Sequence, residues 1–286
     1  MPGPLSAAQI ESFKAEGVLI LPDFVEEAQL ARWREQVWAG LGADPDDRST
    51  WPTHTQHPPV ADGISPTPGD LPQFQALMEQ LGGGFFEGGG AQCACVFPSL
   101  EASEWKKPGS GHVDGYNGRW AGVGAHRLAT TFYLNDCEER GGGFTYWRGG
   151  HARVHERFRA HPEEVDGRLV ETAEYKEGKH PYLGGGEEGT VHAVKAGTVC
   201  VWHGWCPHNA SQNATDTPRL AIISRWNDSR FVGPPVQMKY GETDDEFQLG
   251  WDDIDDEMRQ EPRYLIKEDM FADWGPDVSG AGTARP

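Results

Sequence analysis

The sequence predicts a mainly β fold of the sandwich or jelly-roll type, with helices packed on one outer face. Amphipathic helical patterns are confined to the first 84 residues, and short β-rich apolar runs separated by turn residues follow them. The 37 Gly and 21 Pro are more than a helical protein needs and suit many short strands joined by turns. Helices first and strands afterwards point to a helical layer against one sheet of a β structure.

The elements read as follows. Ser6-Ala7-Ala8-Gln9 is a capping box, with Leu5 and Ile10 as its hydrophobic staple and Gly17 as the helix stop. Val18–Leu21 is a short strand. A second helix carries Leu30, Trp33, Val37 and Leu41 on one face. Residues 42–69, rich in Pro, Asp, Thr and His without periodicity, read as a long loop. Asp70 is placed to cap a third helix bearing Phe74, Leu77, Met78 and Leu81, closed by Gly82. Beyond Gly84 the strand runs are 91–97, 128–134, 144–147, 191–194, 199–202 and 220–226. Turn clusters at 138–143 and 195–197 separate them. No internal repeat or Gly/Ser linker divides the chain. It is read as a single domain over 1–286, with a helical buttress and loop (1–84), a β core (85–230) and an acidic C-terminal segment (231–286).

Composition excludes several function classes. No apolar run approaches the roughly 20 residues of a membrane span. Residues 1–10 lack the basic and apolar regions of a secretory signal, so a cytoplasmic location is expected. The net charge is -19, and residues 241–277 account for much of it, with fourteen acids against Arg259, Arg263 and Lys267. An acidic chain lacks the basic footprint that nucleic acid or an anionic membrane requires. Cys93, Cys95, Cys137, Cys200 and Cys206 match no zinc or disulfide spacing and read as small buried hydrophobes.

His112-Val113-Asp114 carries the chemistry. On a strand, residues i and i+2 face the same side, so an imidazole and a carboxylate converge on one ion. Two neutral imidazoles and one carboxylate on one face of a metal leave open positions, which suits non-heme Fe(II). The third ligand comes from the segment after the strand at 198–202, which holds His203 and His208. Arg219 lies eleven positions beyond His208 at the start of the next strand, where a guanidinium can hold a dicarboxylate by two parallel hydrogen bonds.

His112-Val113-Asp114, His208 and Arg219 in this order resemble the phytanoyl-CoA dioxygenase-like group of Fe(II)/2-oxoglutarate oxygenases. Phe13 and Glu16-Gly17-Val18-Leu19-Ile20-Leu21-Pro22 match the family's opening. Gly142-Gly143-Phe144-Thr145-Tyr146-Trp147-Arg148-Gly149-Gly150-His151 is a variant of its Gly-Gly segment, with Arg148 and Gly150 where Pro and Ser are usual. Lys195-Ala196-Gly197-Thr198-Val199 resembles the turn before the distal His. The resemblance spans about residues 5 to 230 and implies a double-stranded β-helix of the cupin-like jelly-roll type. It implies Fe(II) on His112, Asp114 and His208, 2-oxoglutarate with its 5-carboxylate on Arg219, and O2 as oxidant. It also favours His208 over His203 as the third ligand.

The expected reaction is hydroxylation of an unactivated C–H in a small polar metabolite or natural-product intermediate, releasing succinate and CO2. Rival readings are an acyl-CoA substrate, desaturation or cyclisation, and a non-catalytic metal- or sugar-binding jelly roll. Asp114 argues against a halogenase, which needs that ligand position for halide. His151 and His155 read as surface or turn residues. Arg225 and Trp226 either line the cavity or are plain strand positions. Tyr116, Asn117, Trp120, Trp147 and Trp205 lie near the ligand-bearing segments and read as core packing ahead of substrate contacts. The expected partner is a small molecule, as a monomer or homodimer.

Overall fold

The computed structural model of the chain describes residues 4–53, 63–113, 126–160, 188–229 and 267–280. Helix α1, Ala7–Glu16, starts on the expected capping box, with Ser6 and Gln9 bonding reciprocally, and stops at Gly17 in the left-handed region (φ 77°). Ile10 and Phe13 form its buried side. Strand β1, Val18–Leu21, follows directly. Helix α2, Glu27–Leu41, buries Leu30, Trp33 and Val37.

Helix α3, Pro72–Gly82, buries Phe74, Leu77, Met78 and Leu81 as expected, but its ends differ from the sequence reading. Asp70 does not cap it. That residue closes a 3-10 turn, Pro68–Asp70, and its carboxylate accepts from the backbone N and hydroxyl of Thr67. A proline at the first helical position needs no N–H partner, so α3 begins without a side-chain cap. It ends at Gly83 (φ 60°) rather than at Gly82, which is its last helical residue.

Nine strands form two antiparallel sheets among the described residues. The larger runs β1, β7 (Val199–His203), β4 (His126–Tyr133), β9 (Arg219–Asp228), β2 (Phe86–Gly88), with β3 (Gln92–Val96) also on β9. The smaller has the order β6 (Thr190–Val191), β5 (Phe144–Tyr146), β8 (His208–Ala210). Alternation along each central strand divides the large sheet's two faces. Leu128, Phe132, Val199, Val201, Leu220 and Ile222 join the helical residues in one apolar core. Ala129, Tyr133, Cys200 and Trp202 join Phe144 and Tyr146 of the smaller sheet in a second. The two sheets therefore face each other across that inner layer, a jelly-roll-like arrangement, with helices on the outer face of the larger one.

Departures from the expected pattern are of three kinds. Strands β2 and β8 are too short for a periodicity to register, and are held by ladder bonds to β9 and β5. The segment containing His151 and His155 is helix α4, Gly150–Ala160, not a surface turn. Its buried side is His151, Val154, His155 and Phe158, a helical spacing partly hidden because two of the four are histidines. The third is the C-terminal stretch, where Phe271, Trp274 and Val278 enter the helix-side core and Pro276–Ser279 forms a one-turn helix, α5. Phe13 lies 5.6 Å from Trp274 between ring centroids. The other residues of the acidic C-terminal segment, 231–266 and 281–286, lie outside the described residues. No helix among the described residues is long and apolar enough to cross a membrane.

Candidate metal and co-substrate site

His112 and His208 are joined by two backbone hydrogen bonds, each N–H donating to the other residue's carbonyl at 2.9 Å. This bridge adds the His112 segment to the open edge of β8 and sets the two imidazole rings 4.4 Å apart. Gly111 permits the close approach. A Cβ there would stand 2.5 Å from the Trp147 ring and 2.7 Å from the His208 carbonyl. Val113 is buried and anchors the segment, while His112 is exposed. Asp114, the expected carboxylate ligand, lies outside the described residues, as do Tyr116, Asn117 and Trp120. Among the described residues no third His, Cys, Asp or Glu completes a metal-binding group.

The His208 ring is fixed from several sides. Trp202 lies 4.1 Å and Phe144 5.6 Å from it, centroid to centroid. Its Nδ1 stands 3.0 Å from the Cys206 carbonyl. A neutral ring donating from Nδ1 presents its lone pair at Nε2, the tautomer a metal requires.

His203 is built into a different environment. It continues the Val199, Val201 alternation and faces the helix-side core, opposite to Trp202. Its ring stacks on Trp274 at 5.3 Å, and its Nδ1 accepts from the Trp205 N–H. The structure thus brings His208, not His203, to His112. His151 is fully buried, and its Nε2 caps the end of α1 on the Lys14 carbonyl at 3.0 Å. Burial pushes its pKa down to about 4. His155 meets the Lys267 carbonyl at 2.7 Å and stacks on Trp205.

Arg219 begins β9 on the inner face. Its Nε donates to the Gly142 carbonyl at 2.9 Å and its Nη1 contacts the Ala94 carbonyl at 3.5 Å. Only 4% of the residue is exposed, yet no carboxylate pairs with it among the described residues. Gly142 (φ 85°) lies in the left-handed region, and a Cβ there would crowd Val96 at 2.8 Å. Two positions on, Phe144 rests on His208, and its N–H donates to the Tyr133 hydroxyl at 2.7 Å. Segment 142–144 therefore links the guanidinium to the histidine pair. Burial raises the Tyr133 phenol well above its ordinary range, keeping it neutral. Burial also lifts Cys200 and Cys206 to about 12 and Cys137 to about 11, so none of these thiols is poised as a nucleophile.

Residues 106–221 match the phytanoyl-CoA dioxygenase family model. The matched segment contains His112, Asp114, His208 and Arg219, the residues singled out by their order in the sequence. Among solved structures, the chain is similar to HygX from Streptomyces hygroscopicus with nickel and 2-oxoglutarate bound. That match has 17% identity, covers 79% of this chain and 88% of the other, and has a TM-score of 0.53. HygX with nickel, 2-oxoglutarate and hygromycin B matches at 15% identity with the same coverage and a TM-score of 0.51. EvdO2 from Micromonospora carbonacea var. aurantiaca matches at 19% identity, over 80% of this chain and 93% of the other, with a TM-score of 0.48. At such identities the likeness concerns the fold. No curated protein matches the chain.

The sequence reading missed the residues that position the pair. Trp202, Phe144 and Tyr133 read as ordinary strand apolars. Gly111 carried a signal in hindsight, as a glycine directly before a ligand candidate.

Proposed function

We propose that the chain is a non-heme Fe(II)- and 2-oxoglutarate-dependent dioxygenase. Iron would be held by His112, Asp114 and His208, and the 5-carboxylate of 2-oxoglutarate by Arg219. The observation that carries this reading is Arg219 itself. A buried guanidinium with carbonyl partners and no carboxylate among the described residues is an incomplete ion pair, which a dicarboxylate from solution completes.

The donor chemistry fits the metal. Paired imidazoles, one of them with Nδ1 committed to a backbone carbonyl, suit a first-row divalent ion, and a carboxylate at Asp114 would make the facial set of a non-heme iron oxygenase. Iron with 2-oxoglutarate would supply O2 activation coupled to decarboxylation to succinate and CO2. The chain's own residues orient and exclude. Arg219 fixes one end of the co-substrate, Trp202 and Phe144 hold the His208 ring and keep water from it, and Tyr133 holds Phe144.

Hydroxylation of an unactivated C–H in a small polar metabolite or natural-product intermediate is the reaction this reading favours. HygX, similar in fold, holds 2-oxoglutarate together with hygromycin B, which supports a natural-product-sized ligand here. The test is a metabolite-library screen for succinate release under Fe(II), 2-oxoglutarate and O2, with product masses. A gain of one oxygen atom marks hydroxylation, and a loss of two hydrogens marks desaturation or ring closure. Metal binding without succinate from any compound would favour a non-catalytic jelly roll.

A further inference from the structure

We propose that the helix-side core contains a water-binding site, in which Thr130, Ser224 and Trp226 hold one ordered molecule between the large sheet and α3. It lies on the face of that sheet opposite to the histidine pair and does not depend on the oxygenase reading.

Thr130 of β4 and Ser224 of β9 are direct cross-strand partners. Both fall on the helix-side face by alternation, since Leu128 and Phe132 flank Thr130 there, and Ile222 and Trp226 flank Ser224. Thr130 is 0% exposed and Ser224 1%. Among the described residues neither hydroxyl has a hydrogen-bond partner. The indole N–H of Trp226, two positions along the same face, has none either. Thr131 gives the contrast. One residue on and facing the inner layer, its hydroxyl accepts from Trp202 Nε1 at 3.2 Å.

Buried polar groups are almost always paired, and three unpaired ones on adjacent positions are too costly to be left so. The two hydroxyls do not bond each other, because directly opposed Cβ atoms stand about 4.5–5.5 Å apart and leave the oxygens separated. One water about 2.8 Å from each oxygen bridges that gap. The site also has the shape for it. Thr130 and Ser224 form a row of small side chains with Val201, the partner of Thr130 on β7. The rows on either side are larger, Leu128 with Trp226 and Phe132 with Ile222. Phe74 of α3 spans those two rows, 4.6 Å from the Phe132 ring and 6.5 Å from the Trp226 ring, to which it is parallel. The Phe74 ring thus rests on the large neighbours and roofs the small row, leaving a slot beneath it. An apolar slot stays dry, but one lined by three polar groups offers a water its usual complement of about three hydrogen bonds. The indole donates, and each hydroxyl donates or accepts as required.

The test uses the full-length protein with T130V, S224A and the double variant T130V/S224A, each close in shape to the wild type. Thermal melts give the first readout. With water bound, each single variant strips away one of its bonds and should lower Tm by about 2–4 °C. The double variant leaves a slot that no longer holds water, so its loss should be smaller than the sum of the two singles, the mark of a shared ligand. A crystal structure with ordered solvent gives the second readout. It should show a water oxygen about 2.5–3.2 Å from both Thr130 Oγ1 and Ser224 Oγ, gone in the double variant. A higher Tm in T130V would overturn the proposal, since the hydroxyl would then be buried at a cost with nothing bound to it. Strictly additive losses would overturn it as well, and so would density in the slot that belongs to a side chain of this protein. The same holds for an empty slot in a crystal structure that resolves buried waters elsewhere.

Discussion

Replacing Arg219 by Ala removes the buried cation together with its bonds to the Gly142 and Ala94 carbonyls. Stripping one partner from a buried charge pair costs about 2–5 kcal/mol. If 2-oxoglutarate supplies the missing carboxylate, its affinity should fall by at least about 30-fold, the equivalent of 2 kcal/mol. Without ligand, the two abandoned carbonyls cost about 1 kcal/mol each, offset by relief of an unpaired buried charge, so the apo variant should melt near the wild type. The contrast appears on adding co-substrate. At 2-oxoglutarate 100-fold above the wild-type Kd, the wild type gains about 2.7 kcal/mol of stability. A variant weakened 30-fold gains under about 1 kcal/mol at that concentration. Differential scanning fluorimetry of both proteins with Fe(II), with and without 2-oxoglutarate, reads this directly. The KM for 2-oxoglutarate should rise in step, while Fe(II) binding survives. An equal 2-oxoglutarate-dependent melting shift in wild type and variant would remove Arg219 from the site.

Three further perturbations test the arrangement. His208→Ala should abolish Fe(II) binding, whereas His203→Ala should keep it and lose stability through the broken stack on Trp274; the opposite pattern in metal titrations would refute the ligand assignment. Gly111→Ala drives a methyl against Trp147 and the His208 carbonyl, so it should cost about 1–3 kcal/mol of stability and weaken Fe(II) binding; an unchanged metal affinity would show that the bridge does not position His112. Stability should fall with acid between about pH 6.5 and 4, because in that window the unfolded chain protonates His151 while the buried ring, with its pKa near 4, does not. The loss should approach about 3 kcal/mol at the acid end and be absent above pH 7, and His151→Gln should flatten this slope in pH-dependent melts. An identical slope in the variant would assign the acid sensitivity elsewhere.

What the sequence revealed depended on how each residue earns its place. Trp33, Phe74 and Leu81 were legible because helical spacing alone marks a buried face, and all three are fully buried. The strands at β4, β7 and β9 were legible because β-branched runs between turns have few other uses. His151 and His155 were misread because a histidine gives no periodicity signal, though burial of both builds one side of α4. Asp70 was misread because Asp suits a helix cap and a 3-10 turn equally, and the proline at position 72 decided between them. At the candidate site, His112 and His208 are meaningful as a spacing in sequence. Their meeting across β8 depends on two backbone bonds between segments almost a hundred residues apart, which no local pattern announces.

The packing of residues 267–280 bears on how this protein is made. Phe13 of the first helix rests on Phe271 and Trp274, and Gln80 bonds both Leu5 and Asp277, so the opening segment meets its cover only when the last described residues have been synthesised. The same stretch seals the back of β7 through Trp274 on His203, one residue from the Trp202 that steadies His208. Contacts so distant in sequence form late. A nascent chain halted before residue 267 would carry both sheets but leave α1 and the rear of the histidine strand wet. Docking of residues 267–280, rather than completion of the β core, would then be the step that seals the rear of the histidine strand.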